Sequence, residues 1–504
     1  MQSAVSGNSS GINLDANQSR WTRFLDPAIF GFLLLFAITL PHSIKGAERS
    51  WKIAFVLWLL KLAIERVRPF RQPLAAPLLA YVTLSAISTM LSPDPYLSWD
   101  RMKLVCLVMV GIVFAQNLKR LSQVRWLVIL LVLSGFGAAV YTGWQYSYGV
   151  GVRLAEFPAG SRMAEAGFQP DDIVTSFNGY TVHTPEQLTR AIERTPSTAR
   201  VTVRYLRGLG LDTGATTATP RDFVLSGLRT ASMKLDRGKP IRAKGTLGHR
   251  VVFAEILMQL GCLAWTMFLS VQPGKRGLRL LYGTIFLAVT VALVATETRA
   301  ALVGLALGCF IALFILTGKQ TRIWAAAALA VLMTCAALWV HHSRGINWTS
   351  TNDIGTQFRI LIWEDGLRLV RQHPWFGVGM ETVRLHWLEW NIRGFIQYHV
   401  VAHFHSTPLQ IAVERGLTTL AAWLWFVVAY IVFLARVISK VGVRSRFATA
   451  VVTAVLAGFA GFLTTSLVHY NLGEEPLVMA VFFFFGLAVA IDHMLLTPGA
   501  IDVQ

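Results

Sequence analysis

HFHSTPLQIAVERGLTT, residues 403–419, joins a polar, histidine-bearing stretch to an apolar run that continues to about Leu434. Ser406 and Thr407 are of the types that cap helix N-termini, and Pro408 suits a first helical turn. A helix is therefore expected to begin just after His405 and to be long enough to cross a bilayer. His405 then sits at the membrane–water boundary, beside the positive end of that helix. This end disfavours a second positive charge and helps to keep the imidazole neutral and able to accept a proton. An imidazole that only anchors a helix at the interface reads from this stretch equally well.

Working outward, apolar runs of membrane-crossing length recur along most of the chain. Candidate spans are 27–44, 51–65, 74–91, 102–118, 125–148, 250–271, 278–296, 300–317, 322–341, 407–435, 446–469 and 475–496. The second is short and carries Lys61, whose aliphatic stem can snorkel. With 54% hydrophobic and 14% charged residues and a mean hydropathy of +0.52, the 504-residue chain is no ordinary soluble globule. The pattern predicts a polytopic α-helical membrane protein of about twelve spans.

The net charge of +19 does not point to nucleic acid, because the basic residues sit in short connectors with no aromatic-interleaved patch. Arg66, Arg68, Arg71, Lys119, Arg120, Lys275, Arg276, Lys319 and Arg436 fall on one side of the expected topology, and Lys45, Arg49, Arg101 and Arg299 on the other. By the positive-inside rule both termini are cytoplasmic. Arg20 and Arg23 precede the first span, and no small-residue cleavage site follows, so that span is expected to be retained. Cys106, Cys262, Cys309 and Cys335 lie in apolar runs without metal or disulfide spacing and read as packed core thiols.

The expected organisation is five spans in 1–149, a soluble insertion in 150–240, four spans in 241–341, an outer helical loop in 342–405 and three spans in 406–504. In the insertion, Asn178-Gly179 between Ile173–Phe177 and Tyr180–Val182 is a hairpin signal, and Val201–Tyr205 alternates as a strand. Gly149–Val152, the turn Ala166–Ile173, Asn178-Gly179 and the helix from Pro185 to Arg194 together resemble a bacterial PDZ domain. That resemblance implies a module able to bind an extended peptide end, or one that only braces the membrane domain. In the outer loop, Thr356–Gln372 has helical spacing that places Arg359 and Trp363 one turn apart. Pro374 and Gly377-Val378-Gly379 break it, and the Trp-rich stretch Met380–Ile396 again reads as a helix at headgroup level.

Four blocks, KGTLGHRVVFAEIL (244–257), ATETRAALVGL (295–305), FRILIWEDGLRLVRQHPWFGVG (358–379) and HFHSTPLQIAVERGLTT (403–419), resemble the O-antigen ligase and polymerase superfamily. The last fits the ligase pattern at His405, Ser406, Gly416 and Thr419. Gly377 and Gly379 close the third block. Where many relatives have Pro-Asn in the first block, this chain has Arg250-Val251, and the PDZ-like insertion is not a general family feature.

The resemblance implies an architecture like that of GT-C glycosyltransferases, in a bacterial inner membrane with the large loops periplasmic. It implies metal-independent, inverting transfer of a glycan from undecaprenyl pyrophosphate to a sugar hydroxyl of lipid A–core, with no cofactor. A pyrophosphate leaving group at the membrane edge needs fixed cations, preferably guanidinium groups. Arg242, Arg299 and Arg359 are expected to supply them, with Arg101 and Arg250 as outside candidates. A neutral imidazole suits removal of the acceptor's proton, and His405 is the candidate base. In an extended segment His403 would share its face and orient it, contact sugar or simply pack.

His249 could line the same cavity or begin a helix, and Trp363 could pack or meet sugar or lipid. Glu297 could pair with Arg299. Glu414 beside Arg415 is costly inside a span unless paired. A zinc site among His373, His386, His399, His403 and His405 competes, as does an intramembrane metalloprotease, but no HExxH or carboxylate pattern completes a ligand set. A polymerase or a protein O-oligosaccharyltransferase of the same superfamily would use the same donor. A transporter or a peptide-presenting scaffold would need neither His405 nor Arg299.

Overall fold

The computed structural model describes residues 14–66, 69–148, 151–157, 161–207, 212–223, 234–238, 243–344, 354–442 and 444–496. It divides into two compact units. One comprises Met1–Ser134, Gln357–Phe459 and Ser466–Gln504, the other Gly135–Thr356 and Ala460–Thr465.

The chain opens with helices α1 (Leu14–Thr39), α2 (Ile44–Glu65), α3 (Ala75–Met90), α4 (Pro95–Val105), α5 (Val108–Asn117) and α6 (Leu121–Tyr148). The expected span 102–118 is thus two helices. Asp94 caps α4 by accepting the Leu97 N–H at 3.1 Å, which starts that helix at Pro95. Around Cys106 and Leu107 the bonding tightens to three-residue steps, from Leu107 N–H to Leu104 and from Met109 N–H to Cys106. A tight 3₁₀ turn of this kind separates two short helices in place of one long one.

The inserted sheet is built from β1 (Val152–Glu156), β2 (Ile173–Phe177), β3 (Tyr180–Thr181), β4 (Val201–Arg207), β5 (Asp212–Ala218) and β6 (Lys234–Arg237), with short helices α7 (Arg162–Glu165) and α8 (Pro185–Glu193). Its order is β5-β4-β2-β1-β6, and β3 pairs with β2. Asn178 and Gly179, both at positive φ, form the β2–β3 turn, as their sequence demands. Val174, Phe177, Leu188 and Val203 lie in its core.

Helices α9 (Arg250–Ser270), α10 (Arg276–Ala295), α11 (Arg299–Leu316) and α12 (Lys319–Arg344) follow, with α9 packed on α10 and α11. The chain closes with α13 (Ile354–Gln372), α14 (Val383–His386), α15 (Arg393–Tyr398), α16 (Thr407–Val441), α17 (Arg446–Ser466) and α18 (Glu475–Leu495). Within the first unit α16 packs on α3, and α5 packs on α18 and α2. Phe36, Phe114 and Phe483 make a ring cluster with centroids 4.8–5.7 Å apart.

Among the described residues seven helices, α6, α9, α10, α11, α16, α17 and α18, are long and apolar enough to cross a membrane; Phe24–Thr39 and Ala75–Met90 are shorter apolar helices. The architecture is mostly helical and consistent with a polytopic membrane protein, although the expected twelve spans are not reached by this measure. Two further expectations change. Met380–Ile396 is not one helix: α14 stops after one turn, and Asn391 at φ 46° turns the chain before α15. Cys262 and Cys309 are buried, but Cys106, in the turn between α4 and α5, and Cys335, on α12, are exposed, so only two of the four are core thiols.

Candidate active site at the start of α16

The segment before α16 is not extended. His405 adopts a left-handed conformation, φ 49°, which is uncommon for a residue with a side chain and must be held by its surroundings. Several bonds hold it. The Trp363 indole N–H donates to the Phe404 carbonyl at 2.7 Å, and Phe404 N–H donates to Gln410 Oε1 at 2.7 Å. Ser406 occupies the N-cap position, but its side chain makes no capping bond. Thr407 Oγ1 instead lies 2.8 Å from Asn471 Oδ1 and accepts the Asn471 N–H at 3.1 Å, tying the first turn of α16 to the loop after α17.

The left-handed turn brings His403 and His405 together in a way an extended strand would not. Their ring centroids are 4.3 Å apart, and the His405 backbone N–H donates to His403 Nδ1 at 3.1 Å. A neutral His403 therefore carries its proton on Nε2. Phe358 closes the other side of His405 with centroids 5.9 Å apart. His403 also neighbours His469 and Tyr470, at 5.8 and 5.7 Å. Burial, then the Arg359 guanidinium and the His469 ring, push the His405 imidazole down to a pKa of about 4. At neutral pH it is an uncharged proton acceptor beside a fixed cation.

Behind this cluster α16 is broken. Gly416 has φ 80° and ψ 170°, so the expected continuous span is two helical segments meeting at a kink. The carbonyls of Val413 and Glu414, freed by the break, accept the N–H groups of Val378 and Gly379 at 2.9 and 2.8 Å. A Cβ on Gly377 would lie 2.4 Å from the Val413 carbonyl oxygen, and one on Gly379 2.0 Å from Ser92 Oγ. The Gly377-Val378-Gly379 run is therefore the strap that fits the kink. Thr419 Oγ1 donates to the Arg415 carbonyl at 2.9 Å, satisfying another acceptor just before the break.

Arg415 is 1% exposed and donates to the hydroxyls of Tyr81 and Tyr470 at 2.6 and 3.2 Å. Glu414 accepts the Glu381 N–H at 2.8 Å, and Glu381 pairs with Arg101 at 3.2 Å. The partners expected for Glu414 and Arg415 are thus phenols and a backbone amide, with no direct ion pair between them. Arg101 braces this network through Glu381.

In the first unit the structure thus gathers His405, His403, Arg359, Trp363, Ser406, Gly377, Gly379, Gly416 and Thr419. His249, Arg250 and Arg299 belong to the second unit, and Arg242 lies outside the described residues. His249 caps α9, its Nδ1 accepting the Val252 N–H at 3.4 Å, so of its two readings the helix start is the one observed. Arg299 opens α11, just after Glu297, which is buried and left-handed at φ 53°. Among the described residues no three His, Cys, Asp or Glu side chains are arranged to hold a metal ion.

Sequence reasoning missed His469, Tyr470 and Asn471. Their only signal was a polar triplet where the expected span 446–469 ends and the connector to the last span begins. An apolar groove of about 390 Å³ runs from Ser406 and Trp363 along Leu409 and Ala412 to Leu420.

Residues 284–424 match the family model described as O-Antigen ligase. The matched stretch holds Arg299, Arg359, Trp363, both strap glycines, His403, His405, Ser406, Gly416 and Thr419, and leaves out Arg101, Arg242, His249, Arg250 and the inserted sheet. The match supports the superfamily expected from the four blocks and, with it, glycan transfer of the ligase or polymerase type. No curated protein matches the chain.

Proposed function

We propose that the protein is a glycosyltransferase of the outer face of a bacterial inner membrane. It would move a glycan from undecaprenyl pyrophosphate to a sugar hydroxyl of lipid A–core, with inversion and without a metal. The observation that carries this reading is the half-buried, neutral His405 held in a left-handed turn beside Arg359. His405 takes the acceptor's proton as the hydroxyl attacks the anomeric carbon. Arg359 stabilises the charge that develops on the departing diphosphate. That Arg299 and Arg242 add further cations rests on the family resemblance of the sequence alone.

The depressed basicity of His405 has a role in this scheme. A diphosphate seated beside Arg359 offsets the positive charge that suppresses the imidazole. Base strength then rises when donor is bound, where it is needed, and stays low when the site is empty. His403, Trp363 and Asn471 position the turn and touch no reacting atom.

The deciding experiment incubates purified protein with lipid-linked glycan and lipid A–core in the absence of divalent metal. Transfer that is lost in His405→Gln supports the proposal. Unchanged transfer in that variant, or none by the wild type, overturns it. In a deletion strain, full-length lipid-linked polymer with bare core marks a ligase, whereas core bearing one repeat marks a polymerase. Glycan on protein would redirect the acceptor to serine or threonine. The PDZ-like insertion, read as a peptide-binding or bracing module, bears on that third outcome.

A further inference from the structure

The first unit contains a second cavity, of about 550 Å³, between the C-terminal turns of α2, α5 and α18. Glu475 opens α18 four residues after Asn471, which bonds to Thr407 beside the histidine cluster, and His493 of the cavity wall lies in the last turn of that helix. At 1.5 Å per residue about 27 Å of helix separates the two. The cavity is therefore at the opposite end of α18 from His405 and is no part of that site.

Its lining is amphipathic in a specific way. Trp58, Leu62, Leu118 and Met494 form apolar walls. Phe70 is stacked on His493 with centroids 4.0 Å apart, and its backbone is clamped by Gln116, which accepts the N–H at 3.2 Å and donates to the carbonyl at 2.9 Å. Lys61 and Lys119 share a single carboxylate, Asp26, at 2.5 and 2.6 Å. The second lysine charge is met only at a distance, by the Glu65 carboxylate, which acts on Lys119 without an ion pair. One turn after Lys61 on α2, Glu65 Oε1 is buried and accepts no hydrogen bond among the described residues. A buried carboxylate oxygen without a donor is costly, and a ligand that brings one relieves the cost.

A ligand matching this lining carries an anionic phosphate, an N–H-bearing cation and hydrocarbon tails. We infer that the cavity is a binding site for a phospholipid with a primary ammonium head, of the phosphatidylethanolamine type. The phosphate meets Lys119 and Lys61, the ammonium donates to Glu65 Oε1, and acyl chains lie against Trp58 and Leu118. A quaternary ammonium head has no N–H to give Glu65, and a glycerol head brings no cation. The inference is independent of the proposed transfer reaction.

The test uses full-length protein, stripped of lipid in detergent, and native mass spectrometry with palmitoyl-oleoyl phosphatidylethanolamine, phosphatidylcholine and phosphatidylglycerol. A hydrogen bond to a charged group sets the scale, and about a tenfold preference for phosphatidylethanolamine over phosphatidylcholine is expected. Stepwise N-methylation of the head should erode that preference in the wild type, which needs no variant to fold. Glu65→Leu should abolish the preference, while His405→Asn leaves it in place. Equal retention of the three lipids by the wild type, or a preference that survives Glu65→Leu, overturns the assignment.

Discussion

Gly416 lies against the backbone of Trp375 so closely that a Cβ would sit 2.1 Å from the Trp375 carbonyl oxygen. The same break lets Leu417 N–H donate to the Pro374 carbonyl at 2.7 Å and Thr418 Oγ1 to the Trp375 carbonyl at 2.6 Å. Gly416→Ala therefore combines a positive-φ penalty with a collision against backbone that cannot swing away. The variant is expected to lose more than about 2 kcal/mol of stability, read as a lowered thermal midpoint in detergent. A wild-type midpoint would show that the kink is not needed.

Trp363 holds the backbone just before His405 through its indole N–H. Trp363→Phe keeps the ring but leaves the Phe404 carbonyl without its 2.7 Å donor, at a cost of about 1–3 kcal/mol. Turnover should fall about tenfold while the acceptor KM changes little, because the base is misplaced and not removed. A loss confined to KM would instead make Trp363 a sugar contact.

His405→Gln is expected to lower turnover by about 10²- to 10⁴-fold, the usual worth of a general base, with the thermal midpoint little changed. Residual activity near the wild-type rate would move the base elsewhere.

The pH dependence follows from the same residue. His405 has a folded pKa of about 4, below the ordinary 6.5. Between those values the unfolded chain binds more protons than the folded one. The contribution of this site to stability is therefore full above about pH 6.5 and is lost as pH falls toward about 4. The acid limb of kcat/KM for donor, which reports the free enzyme, should lie near the lower value. The limb of kcat should lie higher, once bound diphosphate has offset Arg359. Coincident limbs near 6.5 would mean that His405 is not suppressed.

Arg415 is a buried cation held by two phenols. Arg415→Gln is expected to cost about 1–3 kcal/mol, because the Tyr81 and Tyr470 hydroxyls lose a buried donor and the nearby Glu414 carboxylate a compensating charge. Glu414→Gln added to it should recover part of that loss, and a double-mutant cycle measures the coupling. Strict additivity would show that the two side chains do not interact.

Local composition and spacing determined much of this protein. Apolar runs specified the helices, Asn178-Gly179 the hairpin, and Ser406-Thr407-Pro408 the start of α16. The histidine at that start, its nearby arginine and the glycines of the strap were legible from residue types in order along the chain. What the tertiary structure decided is the identity of neighbours. The left-handed turn at His405, the break at Gly416 and the arrival of His469, Tyr470 and Asn471 each depend on partners dozens of residues away, and so does the sharing of Asp26 by two lysines. A sequence lists which groups want satisfying. Only the folded chain determines which of them meet, because a buried polar atom takes whichever partner the packing brings within about 3 Å.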